Sequence, residues 1–75
     1  MLKRFLDVLR LFDESKSVWT VPDIAQALAT PSSTVYRTVR ELLAANFLEP
    51  AQESHYRLGA AFIEFDRLIR MTDPS

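Results

Sequence analysis

The side chains in this 75-residue chain with the most to offer chemically are Arg37 and Arg40, one helical turn apart and preceded by the small hydroxyl residues Ser33 and Thr34. Their chemistry is recognition. A guanidinium can take guanine O6 and N7 together or fork onto a phosphate. Hydroxyl groups at a helix start can donate to phosphates alongside backbone N–H groups. On a helix, Ser33, Arg37, Arg40 and Ala44 share one side, with Thr34, Tyr36 and Glu41 on its flanks. Tyr36 could reach a phosphate or sugar through its hydroxyl, or pack against a neighbouring helix. Such a face suits a DNA groove, and it also suits an ordinary solvated helix surface, so the surrounding residues must decide.

Bond-making chemistry finds little support. One histidine, one glycine and no cysteine leave no phosphate-cradling loop, no metal-ligand spacing and no histidine-supported nucleophile. Glu49, Glu53 and His55 are too irregularly spaced on a hairpin to read as metal ligands. The chain is therefore expected to be no enzyme and to use no cofactor or metal. Without cysteines a disulfide framework is excluded, and the cytoplasm is the expected compartment. Lys3, Arg4, Asp7 and Arg10 interrupt the apolar residues of Met1 to Phe12, so neither a signal peptide nor a membrane span is expected. A net charge of −1 lacks the basic balance usual in nucleic-acid binders. Its distribution is uneven. Up to Arg40, Lys3, Arg4, Arg10, Lys16, Arg37 and Arg40 outnumber Asp7, Asp13, Glu14 and Asp23. Beyond it, six carboxylates face only Arg57, Arg67 and Arg70.

The elements that would position Arg37 and Arg40 can be read along the chain. Leu2 to Phe12 reads as a first, scaffold helix, apolar at Leu2, Phe5, Leu6, Leu9 and Phe12. Val18-Trp19-Thr20 is β-prone and could pair on the edge of a small sheet, with Trp19 as a packing residue. Thr20 caps a second helix, with Pro22 in its first turn, Asp23 near its positive end, and Ile24, Ala25, Leu28 and Ala29 apolar. A third helix is expected over residues 30 to 45, with Thr30 as N-cap and Pro31 at the first helical position. Val35, Val39, Leu42 and Leu43 form its core stripe. Two helices joined this tightly make a helix-turn-helix with the second exposed.

Phe47 and Leu48 lead into Glu49-Pro50, and His55 to Leu58 returns in strand-like alternation after a polar loop. This predicts a hairpin wing with Tyr56 and Leu58 inward, His55 and Arg57 outward, and Pro50 at an edge or end. Arg57 is the preferred wing contact to DNA. Gly59 breaks the strand, and Ala60 to Met71 forms a last helix ending before Asp73-Pro74. Its apolar arc, Ala61, Phe62, Phe65, Leu68 and Ile69, exceeds what so small a domain can bury, which predicts contact with another chain or a following domain. The fold class is mainly α with a small β-hairpin: a winged helix-turn-helix with a three-helix core, a two- or three-stranded wing and a C-terminal linker helix. Residues 1–59 form the winged helix-turn-helix and residues 60–75 a linker or dimerisation helix and tail.

The blocks LKRFLDVLRLFDE, VWTVPDIAQAL, PSSTVYRTVRELLAANFLE and YRLG, in this order, resemble the DNA-binding domain of the IclR family of bacterial transcriptional regulators. P-S-S-T-V-Y-R and Y-R-L-G carry most of the resemblance. It implies binding of double-stranded operator DNA as a homodimer, with Ser33, Thr34, Tyr36, Arg37 and Arg40 of the third helix and the wing around Ser54 to Arg57 as contacts. It also implies that a small-molecule effector would act only through a following domain absent from this sequence. Three departures stand out. Ala29-Thr30 replaces a usual Gly-Leu, so the turn lacks a residue permissive for positive φ. Ser32 replaces a common basic residue, and Glu53 at the wing tip would repel phosphate. A winged helix used only for protein association is the alternative reading.

Overall fold

The computed structural model describes residues 2–72. Its elements run α1 (Leu2–Leu9), α2 (Val21–Leu28), α3 (Ser32–Ala44), β1 (Leu48–Pro50), β2 (Tyr56–Leu58) and α4 (Ala60–Thr72). The two strands form one antiparallel sheet, pairing Leu48 with Leu58, Glu49 with Arg57 and Pro50 with Tyr56. Trp19 adds a single antiparallel bridge to Tyr56, through N–H···O bonds of 3.0 and 2.7 Å, so the wing has a rudimentary third strand. The β-prone segment before α2 thus pairs where its sequence suggests. This is the expected winged helix-turn-helix.

Side chains from each of the first three helices and from β1 meet in one core. Val8, Ile24, Val35, Val39 and Leu48 are its fully buried members, joined by Phe12, Ala25 and Leu42. The α3 stripe of Val35, Val39 and Leu42 is buried as its spacing requires, and Leu43 is half-buried at the stripe's edge. Thr38 is also buried, although a threonine reads as polar. Its hydroxyl donates to the Thr34 carbonyl at 3.1 Å, and among the described residues no buried side-chain polar atom lacks a hydrogen-bond partner. Trp19 is half-buried, 6.3 Å from Phe12 by ring centroids, and its indole N–H donates to the Lys16 carbonyl.

Three boundaries differ from the sequence expectation. α1 ends at Leu9, and the chain to Phe12 tightens into i−3 bonds, Leu11 N–H to Val8 and Phe12 N–H to Leu9. α3 starts at Ser32 with Pro31 as its N-cap; Thr30 does not cap it. The Thr30 hydroxyl instead donates to the Leu28 carbonyl at 3.0 Å, closing the end of α2, while the Pro31 carbonyl receives the amides of Thr34 and Val35. Thr20 does cap α2, accepting the Asp23 amide at 3.2 Å. α4 extends to Thr72; the expected stop at Asp73-Pro74 lies outside the described residues.

The α2–α3 turn is made by Ala29 itself, at φ 51° and ψ 45°. At Gly59 the requirement is space. Its N–H donates to the Phe47 carbonyl at 2.8 Å, and a Cβ there would collide with the Asn46 carbonyl oxygen. That close approach roots α4, whose Phe62 and Phe65 pack on Phe47 at 5.4 and 5.8 Å between centroids. Past Phe65 the helix leaves the body, so the radius of gyration, 13.3 Å, exceeds the roughly 11 Å of a compact chain this long.

Candidate nucleic-acid interface

The outer face of α3 is as its periodicity requires. Ser33, Tyr36, Arg37, Arg40, Glu41 and Ala44 are exposed and Thr34 is half-buried. The helix starts beside the α2–α3 turn, where the amides of Ser32 and Ser33 have no intrahelical acceptor to reach back to. Small hydroxyl residues, two free amides and two arginines therefore share one accessible face. Neither Arg37 nor Arg40 takes part in an ion pair among the described residues. The Arg40 guanidinium lies 6.0 Å above the Tyr36 ring, one turn away, within reach of a cation–π contact. Tyr36 is 52% exposed, so its ring serves Arg40 and the open face more than the core.

Arg57, on β2, is separate from this group and differently placed. It is exposed and outward, as alternation predicted, but its Nε lies 3.3 Å from Glu49 Oε1, directly across the strand pair. Part of its charge is spoken for. The neighbouring turn is tight, with Glu53 and Ser54 both at positive φ. The Ala51 amide donates to the His55 carbonyl, and His55 Nδ1 lies 3.1 Å from the carbonyls of Gln52 and Glu53. His55, expected to point outward, is thus half-buried and turned into the loop. Leu58 is a further correction: expected inward, it is 39% exposed, because it borders an open cleft beside Phe12 and Val18.

One arginine near the interface belongs to the scaffold helix. Arg4 of α1 lines a small cleft together with Arg37, Thr38 and Glu41. The sequence signal was a basic pair, Lys3-Arg4, at the start of a helix, which alone looks like solvated surface. No group of His, Asp or Glu among the described residues has the arrangement of a metal site, and no helix there is long and apolar enough to cross a membrane.

Comparison with known proteins matches the sequence to the IclR helix-turn-helix domain over residues 1–51. No curated protein matches it. Among solved structures, an IclR homolog from Microbacterium sp. strain HM58-2 is 33% identical, with 89% of this chain and 28% of that one covered and a TM-score of 0.82. A Silicibacter sp. TM1040 protein described as an IclR transcriptional regulator is 26% identical over 97% of this chain and 28% of that one, with a TM-score of 0.89. A Microbacterium hydrocarbonoxydans IclR homolog, solved with 4-hydroxybenzoate, is 34% identical over 85% of this chain and 27% of its own, at a TM-score of 0.79. The present chain spans just over a quarter of the length of these relatives.

Proposed function

The chain belongs to the IclR family of transcriptional regulators through its DNA-binding helix-turn-helix domain, and from that premise we propose that it binds duplex DNA as a homodimer with α3 in the major groove. The observation that carries this reading is the pair Arg37 and Arg40, exposed, without acidic partners among the described residues, and on the face of α3 opposite the core. Arg40, steadied by the Tyr36 ring, is the better placed to read a guanine. Ser33 and Thr34, with the first helical amides, suit phosphate oxygens. Arg57 contacts the backbone from the wing only in competition with Glu49.

In this reading residues 1–59 are the DNA-binding unit and residues 60–75 link or dimerise it. Two copies would place their reading helices about 34 Å apart, on a roughly palindromic site. An effector, if the protein has one, would act through a domain beyond these residues, and a bacterial cytoplasm is the compartment such a regulator works in.

The test is titration of a duplex selected by the protein from a random-sequence pool, followed by fluorescence anisotropy. Arg37→Ala should cost about 1 to 3 kcal/mol of specific binding. Unchanged affinity would remove Arg37 from the interface. The acidic wing tip favours a second reading, a protein-association module that meets no DNA; absence of any salt-dependent binding by the unaltered protein would select it.

A further inference from the structure

We infer that Arg4, at the start of α1, is a DNA backbone contact: with Arg37 it forms a two-arginine cleft that accepts a phosphate beside the groove holding α3. The inference rests on the DNA-binding reading and adds to it an element, α1, outside the reading helix and wing.

Lys3 and Arg4 are neighbours with different partners. Lys3 Nζ lies 3.5 Å from Asp7, one turn on, whereas Arg4 is exposed and in none of the ion pairs among the described residues. Arg4 stands between two clefts. The larger, about 310 Å³, also borders Asp7, Thr30 and Thr38, and reaches the α2–α3 turn. The smaller, about 120 Å³, is walled by Arg4 and Phe5 on one side and by Arg37, Thr38 and Glu41 on the other. The Thr38 hydroxyl is committed to Thr34, so the residues with side-chain donors to spare around the smaller cleft are Arg4 and Arg37. One carboxylate, Glu41, and two arginines line this cleft, a local excess of one positive charge that suits an anion held between the arginines. Because Arg37 also belongs to the exposed face of α3, the cleft opens at that face's flank, where a backbone phosphate runs past a helix seated in the groove. Such a contact offsets the two places where this chain is short of phosphate grip, Ser32 and the Glu49-paired Arg57.

A phosphate contact is blind to sequence, so a labelled duplex of about 30 base pairs of arbitrary sequence is the probe, titrated at roughly 50 to 200 mM salt. Arg4→Gln should weaken binding by up to about tenfold near 0.1 M salt and lower the salt slope by up to about one per protomer, the remainder being held by Arg37 on the same phosphate. Arg10→Gln, an equal charge loss just past the far end of α1, should move neither by a comparable amount. The Arg4→Gln/Arg37→Gln double variant should lose less than the product of the single losses, because both act on one phosphate. Arg4→Gln matching Arg10→Gln, or independent losses in the double variant, overturns the shared cleft. So does protection of the cleft by inorganic phosphate with DNA affinity of Arg4→Gln unchanged, which would make it a free-phosphate site. Failure of the unaltered protein to bind the duplex would instead sink the DNA-binding reading itself.

Discussion

Ala29 carries a backbone conformation that an L side chain adopts at a cost of about 1 to 2 kcal/mol. It does so because the chain must pass from α2 into the differently directed α3 within three residues. Its amide donates to Gln26 at 3.3 Å and the Thr30 amide to Ala25 at 3.0 Å, the bonding of a left-handed helix cap. Ala29→Gly should therefore stabilise the domain by about 0.5 to 1 kcal/mol, the relieved strain less the extra freedom of the unfolded chain. The urea midpoint should rise with its slope unchanged; a lower midpoint would mean the turn is not strained. The missing glycine was plain in the sequence. That Ala29 itself would absorb the positive φ was not, nor was the fate of Thr30. Thr20 and Thr30 both precede a Pro-containing helix start and look alike as caps. Only the first caps a helix, since the hydroxyl of the second is drawn back to Leu28 by the turn. Thr38 went unread for a related reason: its polarity is cancelled within its own helix, and one-letter patterning does not record that.

At the scale of elements, the α3 stripe and the hairpin were legible because each follows a period, 3.6 or 2, that one buried face enforces. Register was not. Which residue stands opposite Arg57 depends on the turn, where Glu53 and Ser54 both take positive φ, and that turn sets Glu49 against Arg57. With both side chains about half exposed, the pair contributes at most about 1 kcal/mol to stability. In the proposed DNA-binding role its weight is larger, since it decides whether the wing offers a free cation. Glu49→Gln should leave thermal stability within about 1 kcal/mol and strengthen duplex binding, with the salt slope steeper by about one per protomer. Anisotropy titrations across salt concentrations give both quantities. An unchanged slope would mean that Arg57 does not meet the backbone and that the wing is a spacer.

The whole molecule has more apolar surface than its core can use, and the surplus is concentrated. On α4, Ile63, Leu68, Ile69 and Met71 are 55 to 74% exposed, and Leu2 on α1 is 69% exposed. A mostly apolar groove of about 290 Å³, lined by Leu2, Leu6, Phe47 and Phe62 with Glu41 at its side, joins the two helices. The excess could be foreseen by setting the arcs of the first and last helices against a chain of 75 residues. How α4 projects could not, since its direction is fixed by Phe47 and the Gly59 approach to Asn46. If this surface is the proposed dimer seam, Ile69→Glu tests it cleanly. The residue is 65% exposed and glutamate is a good helix former, so the isolated fold should survive with unchanged circular dichroism. Two like charges would then face a dry interface, and sedimentation should shift from dimer to monomer at micromolar concentration. In the proposed role a monomer would grip one half-site, so binding to a palindromic duplex should lose the multivalent gain, on the order of a hundredfold, while single half-site binding is kept. A dimer that persists in Ile69→Glu would place the seam elsewhere. Half-site binding lost together with the dimer would mean that α3 needs its partner to be positioned at all.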